Sequence, residues 1–180
     1  LHTCSPKFGT TEDNSAKAKG VSSVLFVNKE GNRFVAEDER RDTICLAVLE
    51  QTDALFYTLE SWDGYGDATL DTLVTNNNVT YADEIARGNM FIGDTLEELA
   101  EKTGCKPETL KDTIESFNTF AEGGKDYKHN RSADYMRAFD GKMYYAMPMS
   151  GLMLNTQGGP RRNENAEVLD TNGNPIPHLY

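Results

Sequence analysis

Residues 147–180 have the sequence MPMSGLMLNTQGGPRRNENAEVLDTNGNPIPHLY, and several features follow one another within this stretch. Its first part, Met147–Leu154, is apolar, and Tyr144–Ala146 before it predicts a strand that leads into the apolar run. The polar tripeptide Asn155-Thr156-Gln157 comes next, and Gly158-Gly159 follows directly. We therefore expect a buried strand and then a turn.

The second half of the stretch predicts a β-hairpin. Ala166–Leu169 has the composition of a strand and leads into Asp170–Gly173. An Asn-Gly pair between strand-like runs is the strongest short-range hairpin pattern. Pro175–Tyr180 then predicts chain that enters a buried strand. Because the sequence stops there on Leu-Tyr without a polar tail, we expect it to be a piece of a longer protein.

The composition argues against several classes of protein. A chain of 180 residues suits one domain, or one domain and part of another. The formal net charge of −11 argues against nucleic acid or an anionic membrane as a partner, since both attract basic surfaces. No apolar run reaches the roughly 18 residues of a membrane span. The cysteines form no CxxC pair, so neither a zinc site nor a disulfide framework is predicted, and Cys45 is expected to be a buried thiol.

The N-terminal half predicts a loop, a hairpin, a helix and a strand, in that order. Residues 1–21 are polar and predict the loop. Val24–Val27 and Arg33–Val35 flank a turn and predict the hairpin. The helix is predicted over Glu37–Gln51, whose apolar side chains form a broad face, and the strand over Ala54–Leu59.

The C-terminal half predicts a pair of helices. Thr95 and Glu98 have the spacing of a capping box, and Gly104 is a typical helix end, so one helix is predicted over 94–104. Apolar residues at helical spacing predict a second helix over 107–122, which opens on a proline. A short link between the two predicts neighbours packed side by side.

The order of these elements predicts the fold class. Residues 63–89 show no clear period beyond a short helix at Ala68–Val74. Short strands and separate helices in mixed order predict an α+β fold, with helices packed on small, mainly antiparallel sheets. The sequence contains no GxGxxG turn, so a complete dinucleotide-binding (Rossmann) domain is not predicted. The residues alone thus indicate an acidic α+β domain without a recognisable reaction, and no metal site.

Three groups of residues occur in an order and spacing that are specific to one family. They are Asn32–Asp42 (NRFVAEDERRD), the helical segments Thr95–Ala100 and Leu110–Asn118, and Thr156–Gly159 with Ala166–Asp170 and Pro175–Tyr180. They resemble the capping (substrate) domain of the FAD-dependent fumarate reductase and succinate dehydrogenase flavoproteins, which include urocanate reductases and 3-ketosteroid dehydrogenases. Ala36 replaces a usual Asn and His178 a usual Gly. The similarity runs from about Val24 to Tyr180.

The resemblance implies an FAD-dependent oxidoreductase that reduces an activated C=C bond, with a hydride from flavin and a proton from an arginine. Arg41 aligns with that arginine. A guanidinium is a poor acid alone, because its pKa exceeds about 12, so a neighbouring acid must reprotonate it. Glu37, Glu39 or Asp42 is the candidate relay. Composition alone indicates instead that Arg40 and Arg41 belong to a solvated charge cluster at a helix start.

The resemblance also implies substrate and cofactor contacts. Asn155 lies where fumarate reductases carry a His that holds a substrate carboxylate, which favours another small unsaturated acid, or an enone, over fumarate. Thr156 and His2 are further candidate substrate contacts. Gln157 and Gly158-Gly159 are candidate cofactor contacts, because glycine lets the backbone approach a flavin closely.

The implied organisation is a capping domain over 1–157, with 1–21 as a loop-like lead-in, and a terminal hairpin segment over 158–180. That segment would return to an FAD-binding domain of the same protein outside this sequence. The chain alone is expected to be inactive and not to bind FAD tightly, because it has no glycine-rich loop for the pyrophosphate. The alternatives are a catalytically inactive binding or interaction domain of the same fold, and a flavoenzyme of the 3-ketosteroid dehydrogenase type.

Overall fold

The computed structural model describes residues 3–6, 24–61, 69–74, 78–139, 143–152 and 158–180. Strands β1 to β5 span Thr3–Pro6, Leu25–Asn28, Leu55–Ser61, Phe91–Gly93 and Tyr144–Leu152. Helices α1 to α4 span Arg41–Leu49, Tyr81–Ala86, Leu96–Thr103 and Pro107–Gly123. Short 3-10 turns lie at Thr52–Ala54 and Ala133–Tyr135. This mixture confirms the predicted α+β class.

The strands form one sheet in which β5 is central. β3 pairs with one edge of β5, in a register that runs from Leu55 opposite Ser150 to Ser61 opposite Tyr144. β1 and β4 pair with opposite ends of the other edge, and β2 pairs with β3. Every pairing among the described strands is antiparallel, which confirms the predicted sheet and differs from the parallel sheet of a doubly wound domain.

Side chains along β2 and β3 alternate between the two faces of the sheet and so divide the interior into two cores. Leu25 and Tyr57 belong to the core under α3 and α4, whereas Phe26 and Phe56 belong to the core under α1. The first core also contains Leu99, Leu110, Ile114 and Phe117, and the second contains Ile44, Cys45, Val48, Met147 and Met149. Burying each such side chain stabilises the fold by about 1.5–3 kcal/mol, so both faces hold the sheet in place.

The helix pair α3 and α4 begins and ends as its capping residues predict. The Thr95 hydroxyl accepts a hydrogen bond from Glu98 N–H at 3.2 Å, and the Glu98 carboxylate accepts one from Asp94 N–H at 3.0 Å. Gly104 and Gly124 end the two helices in the left-handed conformation, with φ of 76° and 67°. Glycine tolerates this conformation without the Cβ penalty, so both helices stop where the sequence predicts.

Helix α1 begins later than predicted. The helix starts at Arg41 rather than Glu37, because Glu39 N–H donates to the Ala36 carbonyl at 3.2 Å and closes a turn there. Glu37 lies in this turn and is fully buried. Arg41 is therefore the first residue of α1. The helix packs one face on the sheet through Ile44, Cys45 and Val48.

Three other predictions were wrong. Within the predicted loop 1–21, residues 3–6 form a strand, because they pair with an edge of β5. Pro175–Tyr180 is not a buried strand: Leu179 is 47% and Tyr180 69% exposed, because no described part of the chain covers them. In the predicted helix Ala68–Val74, residues 69–73 form a hydrogen-bonded turn instead and Val74 pairs with Thr80, while Ala68 lies outside the described residues.

Helix α2 was missed in the region without a clear period. Thr80 caps it, accepting a hydrogen bond from Asp83 N–H at 3.0 Å. A threonine three residues before an acid marks a helix start, but α2 has only 6 residues, too few to show a period. Both predicted hairpin turns are confirmed: Gly31 N–H donates to the Asn28 carbonyl, and Gly173 N–H donates to the Asp170 carbonyl.

Candidate functional site

The segment between the first hairpin and α1 is anchored by a buried carboxylate. Glu37 is 0% exposed and accepts hydrogen bonds from Arg33 Nε at 2.8 Å and Arg33 Nη2 at 2.6 Å, a two-point ion pair. Arg131 Nη1 donates to the same carboxylate at 3.2 Å, and Phe26 N–H donates at 3.1 Å. Paired, hydrogen-bonded charges are the form in which ionised groups are tolerated in an interior. The Glu37 carboxylate is thus enclosed by donors from β2, from the first hairpin and from the loop after α4.

A second carboxylate completes the group, which we term the buried charge cluster: Arg33, Glu37, Asp126 and Arg131. Arg33 Nη1 donates to Asp126 Oδ2 at 2.6 Å. Asp126 also accepts from the backbone N–H groups of Lys128, His129 and Arg131. All members of the cluster are at most 4% exposed. Two cations and two anions give it no formal net charge, so its burial leaves no uncompensated ion.

The electrostatics of the cluster differ between its two arginines. Burial alone would lower the pKa of Arg33, but the hydrogen bond and charge of Glu37 and the charge of Asp126 outweigh it and raise that pKa. Burial lowers the pKa of Arg131, and the Glu37 charge does not fully compensate, since Arg33 repels it. Among the ion pairs that the structure describes, Arg33 pairs with Glu37 and Asp126, whereas Arg131 pairs with Glu37, which accounts for the opposite directions.

The Phe117 ring of α4 closes the cluster on one side. Its centroid lies 5.4 Å from Arg33 Cζ and 5.5 Å from Arg131 Cζ. Both distances are within the range of a cation–π contact. Arg131 also reaches beyond the cluster, donating to the carbonyls of Val24 at 2.6 Å and Tyr135 at 2.7 Å. The cluster therefore joins the first hairpin, α4 and the 126–135 loop.

The two adjacent arginines at the start of α1 have different surroundings. Arg40 donates to the Asp42 carboxylate from Nε at 3.2 Å and Nη2 at 3.1 Å, in an exposed pair. Arg41 is exposed, and the structure gives its guanidinium no partner among the residues that it describes. The candidate relay Glu39 is also exposed and accepts from Arg40 N–H at 3.1 Å. Of the pair, Arg40 is thus ion-paired within the described residues and Arg41 is not.

The predicted glycine contacts have an open backbone. Gly158 and Gly159 have φ of 106° and 104°, in the left-handed region that favours glycine. Both are exposed, and a Cβ added to either would meet no described atom within 4 Å. The other predicted contacts, His2, Asn155, Thr156 and Gln157, lie outside the described residues.

The sequence did not predict that Asp126 and Arg131 belong to the buried charge cluster. Both lie in a polar stretch without a period, where charged residues are ordinarily solvated. Their burial depends on contacts with Arg33 and Glu37, more than 90 positions away, at separations of 93 and 94 residues. No local pattern reports such a pairing, so only the fold reveals it.

Other classes of site receive no support from the described ranges. Within them, no group of three or more His, Cys, Asp or Glu side chains is arranged to bind a metal ion. The helices in those ranges are all too short or too polar to cross a bilayer. Cys45 is buried, as predicted.

Residues 12–180 match the family model described as the FAD binding domain. The chain is 35% identical over 157 residues to the urocanate reductase of Eggerthella lenta. The aligned region covers 87% of this chain and 25% of that protein. It therefore spans about a quarter of the length of this relative.

Two solved structures share the fold. The open conformation of a flavocytochrome c3 fumarate reductase matches with a TM-score of 0.63 at 30% identity, over 88% of this chain and 26% of that chain. The 3-ketosteroid delta1-dehydrogenase of Sterolibacterium denitrificans matches with a TM-score of 0.70 over 100% of this chain and 37% of that chain. The second likeness, at 20% identity, concerns the fold alone.

Proposed function

This chain belongs to the family of FAD binding domains, among the flavoproteins of the fumarate reductase type, and from that premise we propose that it is the capping (substrate) domain of a flavoenzyme that reduces an activated C=C bond. The antiparallel sheet supports the capping assignment, since a dinucleotide-binding domain is built on parallel strands. We assign residues 1–157 to this domain and 158–180 to a hairpin segment that leads to the FAD-binding part of the same protein.

The cofactor of this family is FAD, which when bound supplies the hydride. The open backbone of Gly158 and Gly159 fits contact with a flat ring, because no side chain stands between it and a ligand. Gln157, directly before them, is the third proposed cofactor contact. The described residues offer no glycine-rich loop at a helix N-terminus, which the pyrophosphate needs. The chain would thus contribute ring contacts, and the rest of the protein would hold the phosphates.

The observation that carries the proposal is the exposed Arg41 beside a paired Arg40. Asp42 already holds the Arg40 fork, so Arg40 is occupied by an ion pair within the chain. Arg41 would be left to donate a proton to one carbon of the substrate C=C bond. General acid catalysis of this kind contributes roughly 10²–10⁴-fold to a rate.

Reprotonation of Arg41 requires an acid nearby. Asp42 is exposed and adjacent in sequence, so it is the relay that we favour. Glu37 was another predicted relay beside Glu39, but its two carboxylate oxygens already accept from Arg33 and Arg131 inside the fold. A relay must exchange its proton with water, and buried ion pairs oppose such exchange. We therefore propose that Glu37 supports Arg41 by position.

The substrate that we propose is a small unsaturated acid, with an enone as the related alternative. The similarity to a urocanate reductase supports this class. Asn155 and Thr156 would bind the polar end of the substrate, and His2 is the third proposed substrate contact. A neutral amide at Asn155 pairs with a dicarboxylate less well than a histidine cation does, so fumarate itself is not favoured.

The experiment is a comparison of Arg41→Lys with Arg40→Lys in the full-length flavoprotein. Lysine keeps the charge but loses the planar fork, so it is not conservative at a donor site. We expect Arg41→Lys to slow single-turnover reoxidation of the reduced flavin by roughly 10²–10⁴-fold with normal flavin content. Arg40→Lys should have a small effect, since its partner Asp42 can still be reached. Equal, small effects at both positions would overturn the proposal and favour a catalytically inactive binding domain.

A further inference from the structure

We infer that the buried charge cluster positions Arg41, so that Asp126 and Arg131 of the loop after α4 are positioning residues for proton transfer. The inference rests on the proposed role of Arg41. It adds residues far from Arg41 in the sequence that touch neither substrate nor cofactor. Their effect would pass through the turn between Glu37 and α1.

A short segment of chain joins the buried charge cluster to Arg41. Glu37 is fixed in the interior by guanidinium and backbone donors. Asp38 is tied by its carboxylate to Ser132 N–H at 3.0 Å. The turn closed by Glu39 N–H and the Ala36 carbonyl then leads directly into α1. Three residues thus separate a buried anchor from the proposed proton donor.

On the other side of Arg41, helix α1 holds the backbone. Ile44 N–H donates to the Arg40 carbonyl at 3.0 Å, and Ile44 is 1% exposed in the core under α1. The Arg41 backbone is therefore held between Glu37 and Ile44. Since Ile44 fixes only the helix position, the direction in which the first turn starts depends on Glu37. A shift of the anchor would be transmitted to Arg41 because the turn between them is closed by the Glu39 N–H bond to Ala36 and tied to Ser132 through Asp38.

The anchor is built from charged residues, whose hydrogen bonds fix orientation as well as distance. An apolar contact is non-directional, whereas the two parallel hydrogen bonds from Arg33 to Glu37 fix both distance and orientation. Asp126 holds the far end of the Arg33 fork, and Arg131 binds Glu37 and the Val24 carbonyl together. A buried ion cluster contributes little net stability compared with apolar packing, so a positional role accounts for it better.

The test uses Asp126→Asn in the full-length flavoprotein. The substitution keeps the size of the side chain but presents an NH₂ group to donors such as Arg33 Nη1 and Arg131 N–H. Misplacing a catalytic group by about 1 Å can cost roughly 100-fold. We expect single-turnover flavin reoxidation to slow by roughly 10- to 100-fold, with KM nearly unchanged. The solvent deuterium isotope effect should rise, because proton transfer becomes slower.

The control for general destabilisation is Leu99→Ala, in the core under α3 and α4, on the face of the sheet away from α1 and Arg41. It should lower the melting temperature without raising the isotope effect. Asp38→Ala, which removes the tie to Ser132 and the charge that Asp38 exerts on Arg131, is the second variant if Asp126→Asn fails to fold. It should give a smaller loss of the same kind.

A double-mutant cycle separates this inference from the proposed function. If Asp126 acts through Arg41, the effect of Asp126→Asn should largely disappear in the Arg41→Lys background. There it should slow flavin reoxidation by less than about threefold, because residues that act through one another are not additive. The inference would be overturned if Asp126→Asn slowed flavin reoxidation by the same factor in the parent and in the Arg41→Lys background. It would also be overturned if neither Asp126→Asn nor Asp38→Ala slowed the reaction. Both outcomes would leave the role of Arg41 intact. An unchanged rate in Arg41→Lys alone would overturn the proposed function and the inference with it.

Discussion

Arg33 Nη1 lies 2.6 Å from Asp126 Oδ2, so the first hairpin is held by a residue 93 positions further along the chain. Burial by itself would raise the pKa of Asp126, but the backbone N–H of His129 and the charge of Arg33 outweigh it and lower that pKa. The same cation lowers the pKa of His129 as well. Burial disfavours its imidazolium and Arg33 repels it, so the pKa of His129 is also lowered.

These directions predict that the fold loses stability on acidification. A group whose pKa is lower in the folded chain binds protons more readily when unfolded, so its contribution is present above the unfolded pKa and lost as pH falls. For His129 the loss begins below about pH 6.5, and for Asp126 below about pH 4. Urea unfolding of the chain between pH 7.5 and 5.5 measures the histidine part. The charged groups that act on His129 are Arg33, Asp126, Glu37 and Lys128.

The matched variant for this prediction is His129→Gln, which cannot take up the proton. Nε2 of His129 is buried and has no hydrogen-bond partner among the described residues, so protonation there would create an unsatisfied donor. The variant should unfold at nearly the same urea concentration at both pH values. If it keeps the slope of the parent chain, His129 is not the group that titrates.

Local structure was predictable from the sequence where neighbouring residues determine it. Thr95, Glu98 and Gly104 lie within one helix and its caps, and their spacing alone gave its limits to within two residues. The turn at Asp170–Gly173 was predicted for the same reason. Short apolar runs likewise predicted β2 and β3, because both strands are largely buried and so are apolar along most of their length.

Long-range pairing was not predictable in the same way. β1 has no apolar pattern of its own and exists because β5 offers it an edge. The beginning of α1 was placed at Glu37 because acids are common in a first turn, yet Glu37 is withdrawn into the interior by Arg33 and Arg131. Within the candidate site, Arg41 could be named from the sequence through the family resemblance. The cluster behind it depends on residues that only the fold brings together.

His178 occupies a conformation that favours glycine, with φ of 64°. A side chain in this left-handed region costs about 1–2 kcal/mol, and part of that is offset because glycine gains more freedom in the unfolded chain. We predict that His178→Gly stabilises the terminal hairpin by about 0.5–1 kcal/mol. The readout is hydrogen exchange at Val168, whose N–H donates to the Leu179 carbonyl at 2.9 Å.

Exchange at Val168 should slow by roughly two- to fivefold in His178→Gly, since protection follows the local opening free energy. His178→Ala is the control, because alanine keeps the Cβ that causes the strain and should leave the rate unchanged. Slower exchange in both variants would mean that loss of the imidazole, and not relief of the backbone, stabilises the hairpin.

The last prediction concerns FAD and the isolated 180-residue chain. Tight binding of a dinucleotide needs a glycine-rich loop that presents backbone N–H groups to the pyrophosphate at a helix N-terminus. The exposed glycines at 158 and 159 lie in no such loop and would contact only the ring. Titration of the chain with FAD should therefore give no saturable change in flavin fluorescence at micromolar concentrations. The full-length protein, stripped of flavin and titrated in parallel, should saturate in that range, because it would hold the phosphates as well as the ring. A yellow purified chain, or saturation of the chain alone, would contradict this division of the FAD site between two parts of the protein.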